Sequence, residues 1–420
     1  MTKYETVVGL DIGASQITCV IGGIGNDDMD GIEVLGVGAS ESKGIRKAGI
    51  GSFNAQSASE SIREAVENAS SIAGVHVDSA VVGITGDHIQ SQNVTGVISL
   101  KAGGGVVTQA DHERVLNQAL AQSRVQVTPP RELLLLRPQS FRVDDMDRVE
   151  DPVGMNGSNL GVRAHVVTMS TQHAQTWEEC VEGAGYSVEG MALESYASGL
   201  AVLTKDEMSH GCALVDIGES SADIAVFHEG CLSYTAIVNA GGLDIAQELA
   251  RQFGISTTGA KRLQSGQVCA MESLVTDPHE TALVKDDSGR PIQIPRRKAS
   301  GVVRAVLQQI IYHVNSKLAM CQCPLDRGVF LTGGVAQIEG IAALFSEVMN
   351  VPVQARSPIQ RGQMAYNAVS PAYSAAIGLS LHGADERRSS RGYRARNWFG
   401  GVFDWVRNRV RQDPYPEDDY

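Results

Sequence analysis

A chain of 420 residues, 43% of them apolar, can fill the cores of two ordinary domains and still carry insertions. A formal net charge of −13 excludes a general nucleic-acid binder, whose affinity rests on neutralising phosphates. The seven scattered cysteines exclude a disulfide framework, so a reducing cytoplasm is expected. Lys3 and Glu5 interrupt the start, so no secretory leader is expected, and no apolar run nears the roughly 20 residues that span a bilayer.

The first predicted elements lie in VVGLDIGASQITCVIGG, residues 7–23: a strand ending in Asp11, a turn through Gly13, Ala14, Ser15 and Gln16, and a second strand. Glycine lets amide N–H groups converge on an anion, and a carboxylate beside such a cradle suits a phosphate bound through Mg²⁺. IEVLGVGAS reads as a third strand, and residues 55–73 as an amphipathic helix with Ile62, Ala65, Val66, Ala69 and Ile72 on one face. SAVVGITG and VTGVISL follow as strands. A helix then starts in TQADHERVLNQAL, with Thr108 as N-cap and Asp111 three residues on, and RELLLLRPQSFRV and GVRAHVVTMS are further strands. This stretch makes a small α/β subdomain whose His76, His88 and His112 are isolated, without metal-ligand spacing. MALESYASGLAVL is a strand end at Glu194 followed by a small-residue helix, where an acid could orient water or a hydrated metal.

At residues 213–227 the opening pattern returns as ALVDIGESSADIAVF, with Asp216 at a strand end and Gly218, Glu219, Ser220 and Ser221 in the turn. Two Asp-x-Gly hairpins about 205 residues apart predict a duplicated domain with a phosphate held between the halves. Gly241 and Gly242 precede the helix DIAQELARQF. A polar stretch over residues 271–298 contains PIQIP as a strand or turn, and VVRAVLQQIIYHVNSKLAM forms a long helix. LTGGVAQIEGI then supplies a third turn, Gly333 and Gly334, whose free N–H groups can face a nucleotide. The strand VPVQ and the helix AYSAAIGLSLHG close the body. GADERRSSRG, residues 383–392, reads as a linker, with nothing to bury. In the NWFGGVFDWVRNRV stretch beyond, Trp398, Phe399, Val402, Phe403, Trp405, Val406 and Val410 share one helical arc of roughly 160°. With Arg407 and Arg411 on its basic flank, that face suits an anionic membrane surface, although the acidic end QDPYPEDDY opposes it.

The three turns in this order resemble the superfamily of actin, heat-shock chaperones and sugar kinases. Together with SKGIRKAGI and the amphipathic tail, they look like the bacterial cell-division family FtsA. The resemblance implies an α/β chain with a duplicated actin-like, RNase H-type ATPase fold, two lobes closing on a nucleotide cleft. It divides the chain into a first lobe over 1–80 and 166–205, an inserted subdomain over 81–165 and a second-lobe core over 206–242 and 305–382. A second-lobe subdomain over 243–304, a flexible linker over 383–393, a membrane-targeting helix over 394–411 and an acidic tail over 412–420 complete it. It also implies ATP and Mg²⁺ as ligands, with Asp11 and Asp216 holding the hydrated metal and Glu194 positioning water. The three turns, Gly241, Gly242 and Arg262 would contact nucleotide. As partners it implies the C-terminal peptide of FtsZ on the second-lobe subdomain, like chains in protofilaments and later division proteins on the insertion. The place it implies is the cytoplasmic face of the inner membrane at the septum. A pilus or secretion scaffold of the same fold is a weaker match, because such a scaffold is expected to lack the linker and tail. A sugar or acetate-type kinase would need an acceptor motif that the chain does not have, and a chaperone a further domain.

The departures from the family fall at the nucleotide: Ala14 for Thr, Gln16 for Lys, Glu219 and Ser220 for glycines, Ala246 for Thr, Gly259 for Glu and Arg262 for Lys. Glu219 puts negative charge where phosphate approaches. ATP is therefore expected to bind at reduced affinity and to be hydrolysed slowly or not at all. Steady-state phosphate release by the purified protein checks this; tight binding with brisk turnover refutes it.

Overall fold

The structure, a computed structural model, describes residues 5–25, 31–45, 54–101, 104–124, 130–285, 289–360 and 370–392. Strands β1 (Glu5–Ile12) and β2 (Gln16–Ile24) form the expected hairpin, with Asp11 opposite Thr18. β3 (Glu33–Glu41) continues the sheet antiparallel. α1 (Ala55–Ala73), capped by the Asn54 side chain on the Ser57 amide, buries Ile62, Ala65, Val66 and Ala69; Ile72, expected on that face, is exposed. β4 (Ser79–Ile84) then adds parallel to β1.

Here the chain leaves the lobe to build a second, separate sheet. Its elements are β5 (Gln90–Ser99), β6 (Gly105–Val106), α2 (Gln109–Arg124), β7 (Arg131–Val143), β8 (Met146–Val149), β9 (Asn156–Gly157) and β10 (Asn159–Ser170). The four long strands run in the order β5-β10-β7-β8. α2 closes one face through Val115, Leu116, Ala119 and Leu120, which share a core with Phe141, Leu160 and Val162. The α2 start is reciprocally capped: the Thr108 amide donates to Asp111 Oδ2 at 3.0 Å and the Asp111 amide to Thr108 Oγ1 at 3.3 Å.

The chain returns to the first lobe through α3 (Thr171–Gly183), β11 (Ser187–Leu193), parallel to β4, and α4 (Glu194–Val202). The second lobe follows with α5 (Lys205–His210), β12 (Cys212–Ile217), β13 (Ala222–His228), β14 (Cys231–Val238), α6 (Gly242–Phe253) and α7 (Thr257–Gln264). A hairpin of β15 (Thr281–Lys285) and β16 (Pro291–Pro295) leads into α8 (Arg296–Leu318). β17 (Val329–Thr332), α9 (Ile341–Met349), β18 (Val353–Ala355) and α10 (Ser374–Gly392) finish the described chain. The first-lobe sheet runs β11-β4-β1-β2-β3 and the second β18-β17-β12-β13-β14, the same order position for position. The duplication inferred from two short motifs is therefore a duplication of whole sheets.

Two helices tie the lobes together. α4 leaves the first lobe and packs on β12 and β13 of the second, whereas α10 leaves the second and packs on β1 and β2 of the first. They touch where Gly378 meets Ala197, so closely that a methyl group on Gly378 would lie 1.8 Å from the Ala197 carbonyl oxygen. The inserted sheet adds a polar seam to β14. Ser91 Oγ donates to the Thr235 carbonyl at 3.0 Å and Asn93 Nδ2 to the Ser233 carbonyl at 3.2 Å; buried His165 lies between Asn93 Oδ1 and Thr235 Oγ1 at 2.8 and 3.0 Å. Burial pushes the His165 pKa down to about 4, so the ring is a neutral hydrogen-bonding part of that seam.

One expectation is overturned. Residues 383–392, read as a linker from their charged composition, continue α10 as helix through Gly392. Charged groups anchor it together with buried Ala384: Arg387 donates to both Glu189 carboxylate oxygens at 2.6 and 2.5 Å and to the Thr6 carbonyl, and Arg388 donates to the Gly31 carbonyl at 2.6 Å. Trp398, Phe399, Val402, Phe403, Trp405, Val406, Arg407, Val410 and Arg411 lie outside the described residues. Because the helix crossing has no room for a side chain, Gly378→Ala is expected to cost about 3 kcal/mol in urea denaturation. Gly190→Ala, which meets no atom within 4 Å, is the control and should change stability by less than about 0.5 kcal/mol.

Candidate functional site

The duplicated hairpins face each other across a cavity of about 900 Å³. From the first come Asp11, Gly13, Ala14, Ser15 and Gln16, and from the second Asp216, Gly218, Glu219, Ser220 and Ser221. Glu194, the first residue of α4, and the turn at Gly333 and Gly334 complete the set that the sequence singled out. Gly333 has φ +87°, and a methyl group there would lie 2.2 Å from Asp216 Oδ1, so only glycine brings this turn onto that carboxylate.

Three expected residues do not line the cavity. Gly241 and Gly242 are buried behind the second turn, where the Gly242 amide donates to the Gly218 carbonyl at 2.9 Å and the Leu243 amide to that of Glu219 at 2.8 Å. The first amides of α6 thus brace the turn and do not face a ligand. Arg262 is exposed and points elsewhere; its neighbour Lys261 faces the cavity, with Nζ 2.5 Å from Glu219 Oε1. The unpaired negative charge expected at Glu219 is therefore a paired one. Gly259, counted among the departures at the nucleotide, is buried against β15, where a methyl group would lie 3.1 Å from the Lys285 carbonyl oxygen.

The sequence reading missed Asp223, Thr85 and Ser198. Asp223 pairs with Asp216 across the second hairpin as Thr18 pairs with Asp11 across the first, and that equal spacing was the available signal. Thr85, just beyond β4 of the first lobe, donates to Asp223 Oδ1 at 2.5 Å, and Ser221 Oγ donates to Oδ2 at 3.0 Å. Ser198 of α4 donates to Asp216 Oδ2 at 2.5 Å. Both second-lobe aspartates are thus held by hydroxyls from the other half of the chain.

Even so, the carboxyls are starved of positive charge. Burial first, then the charges of Asp216 and Asp223, raise the Asp11 pKa to about 7. Burial raises Asp223 to about 7 and Asp216 to about 6, against the hydrogen bonds from Thr85 and Ser198. Glu194 is raised well above its usual value by burial and then by Asp11, Asp223 and Asp216. Such a cluster takes up either protons or a cation. Among the described residues no three His, Cys, Asp or Glu groups lie close enough to grip a metal directly. The donors are all oxygens, so they fit a hard, hydrated ion such as Mg²⁺ held through its waters.

Two like sheets, a hairpin turn from each on one cavity, and helices exchanged beneath it define an actin-like protein with an inserted subdomain. The PilM-PilN type IV pilus biogenesis complex shares this fold, with a TM-score of 0.66 and 14% identity over 91% of this chain and 99% of that one. An ethanolamine utilization protein EutJ from Carboxydothermus hydrogenoformans reaches 0.51 at 16% identity, covering 90% of each chain. The chain belongs to the FtsA family. Residues 86–168 match the SHS2 domain inserted in FTSA, and residues 213–378 match Cell division protein FtsA. Cell division protein FtsA of Pseudomonas aeruginosa is 32% identical over 386 residues, 91% of this chain and 90% of that protein. The Escherichia coli K12 protein is 28% identical over 416 residues, 97% of each.

Raised carboxyl pKa values make the cluster most favourable to folding below pH about 4, and that contribution is lost as pH rises through about 7 without a cation. His165 and His112, both pushed down to about 4 by burial, act oppositely between about pH 4 and 6.5, so a single variant isolates the carboxyl effect. In chelator, Asp11→Asn is expected to stabilise the protein at pH 8 by on the order of 1 kcal/mol, and by much less at pH 5. Thermal midpoints at the two pH values check the sign.

Proposed function

We propose that this chain binds ATP with Mg²⁺ in the cleft and polymerises on the cytoplasmic face of the inner membrane at the division septum. There it tethers the FtsZ ring and recruits later division proteins. The observation that carries the reading is the convergence of two duplicated Asp-x-Gly turns on one cavity in a chain of the FtsA family. Asp11 and Asp216 hold the hydrated Mg²⁺, and Glu194 orients water. The turns at Gly13 to Gln16 and Gly218 to Ser221 present amides to the phosphates, and Gly333 and Gly334 back the adenosine. Mg²⁺ supplies the positive charge that the carboxyl cluster and the phosphates both need. Hydrolysis is weak or absent, because Glu219 stands where a glycine would let phosphate come close.

In this reading the second-lobe subdomain, residues 243–304, takes the C-terminal peptide of FtsZ, the inserted sheet takes later division proteins, and copies of the chain stack into protofilaments. The apolar arc from Trp398 to Val410 lies in the plane of the membrane. Among the described residues no helix is long and apolar enough to cross a bilayer. A pilus scaffold shares the fold, but the likeness at 14% identity supports the fold alone, whereas the family match supports cell division. Liposome co-sedimentation of the full chain against a chain ending at Gly392, with and without FtsZ, tests the tether. The shortened chain is expected to lose at least about tenfold in affinity for anionic vesicles, and to leave FtsZ in the supernatant. Unchanged sedimentation of the shortened chain refutes it.

A further inference from the structure

Six carboxylates line the cavity, those of Asp11, Asp87, Glu194, Asp216, Glu219 and Asp223, and Lys261 is the one cation among the described lining residues. Any anionic ligand must therefore compete for Lys261. That cation is already engaged: its Nζ lies 2.5 Å from Glu219 Oε1, joining the tip of the second hairpin to α7 across the cavity wall. Oε1 is shielded from solvent, so Lys261 is its partner in place of water. The other oxygen, Oε2, sits against the start of α6, where a methyl group on Gly242 would lie 3.3 Å from it. A carboxylate of the chain itself thus occupies the cation, packed beside the start of α6.

We propose that Glu219 is an internal stand-in for a nucleotide phosphate, which the Mg²⁺-nucleotide must displace from Lys261 in order to bind. The proposal rests on the nucleotide reading of the cleft and adds to it a built-in competitor that sets the affinity. Lys261 Nζ exchanges one anionic oxygen for another, and the displaced Glu219 carboxylate loses its cation, which is the cost that lowers the affinity. The pair also holds the second hairpin and α7 together in the empty protein, so the same residue stabilises the free form and weakens binding.

The test is titration calorimetry with ATP in excess Mg²⁺ on the full chain and on Glu219→Gln, Lys261→Gln and the double variant, with thermal midpoints of each free protein. Glu219→Gln is expected to bind roughly tenfold more tightly than the parent, Lys261→Gln roughly tenfold more weakly, and the double variant close to Lys261→Gln. The free Glu219→Gln protein should melt lower than the parent and, saturated with Mg²⁺-ATP, gain more; a merely structural residue would lower both alike. Equal affinity of Glu219→Gln and parent overturns the inference while leaving the nucleotide reading in place. Weaker binding by Glu219→Gln also overturns it, making the carboxylate a ligand contact, for instance to ribose hydroxyls. Binding by none of the four proteins overturns the nucleotide reading itself. Glu219→Ser serves as a second neutral variant should Glu219→Gln fold poorly by circular dichroism.

Discussion

The approach of Gly378 to the Ala197 carbonyl, where α10 crosses α4, is the contact on which the architecture depends. Each helix has been exchanged: α4 covers the second sheet, and α10 the first. Neither lobe can bury its sheet without a helix that belongs, by chain order, to the other. The crossing also forms the floor of the cleft. Glu194 opens α4, Ser198 lies one turn further on, and Ala375 of α10 lines the cavity. One steric fact, the absence of a side chain at one position, lets Glu194, the Ser198 hydroxyl on Asp216 and the edge of the cavity come within reach of one another.

Duplication explains why the cleft is so acidic. Each sheet contributes an Asp at the end of its first strand, and facing the copies places Asp11 opposite Asp216 with Glu194 and Asp223 beside them. Hydroxyls relieve part of the repulsion: Ser198 and Thr85 each cross from first-lobe elements to a second-lobe aspartate. These bonds join the halves at the level of the carboxylates, as the α4–α10 crossing joins them at the floor and His165 with its neighbours at the inserted sheet. The remaining charge is left for a cation or for protons.

Much of this was legible in the sequence because the signals were local and repeated. Alternating apolar runs broken by Asp-x-Gly gave both hairpins, and their recurrence gave the duplication. The Thr108 and Asp111 cap marked the insertion's helix. What failed was long-range or compositional. Arg262 and Lys261 are adjacent in sequence but about 100° apart around α7, and only packing against β15 at Gly259 decides which faces the cavity. Gly241 and Gly242 could cradle an anion or brace a turn, and the choice rests on carbonyls of Gly218 and Glu219 that approach through the fold. Residues 383–392 offer only Ala384 as an apolar side chain, yet that residue is fully buried in the first-lobe core. Arg387, forked on Glu189 of β11, adds an anchor that the composition does not reveal.

The extended α10 makes the molecule a lever. Ala375 sits at the cavity, Gly378 at the crossing, and Gly392, the last described residue, ~26 Å along the same helix from Ala375. With Gly378 as fulcrum, a rotation of about 5° displaces the far end by about 2 Å in a fixed direction. Arg387 and Arg388, clamped to the first lobe, make that lobe move with the rod. A tilt of α10 at the cavity would therefore reach Gly392 through continuous helix.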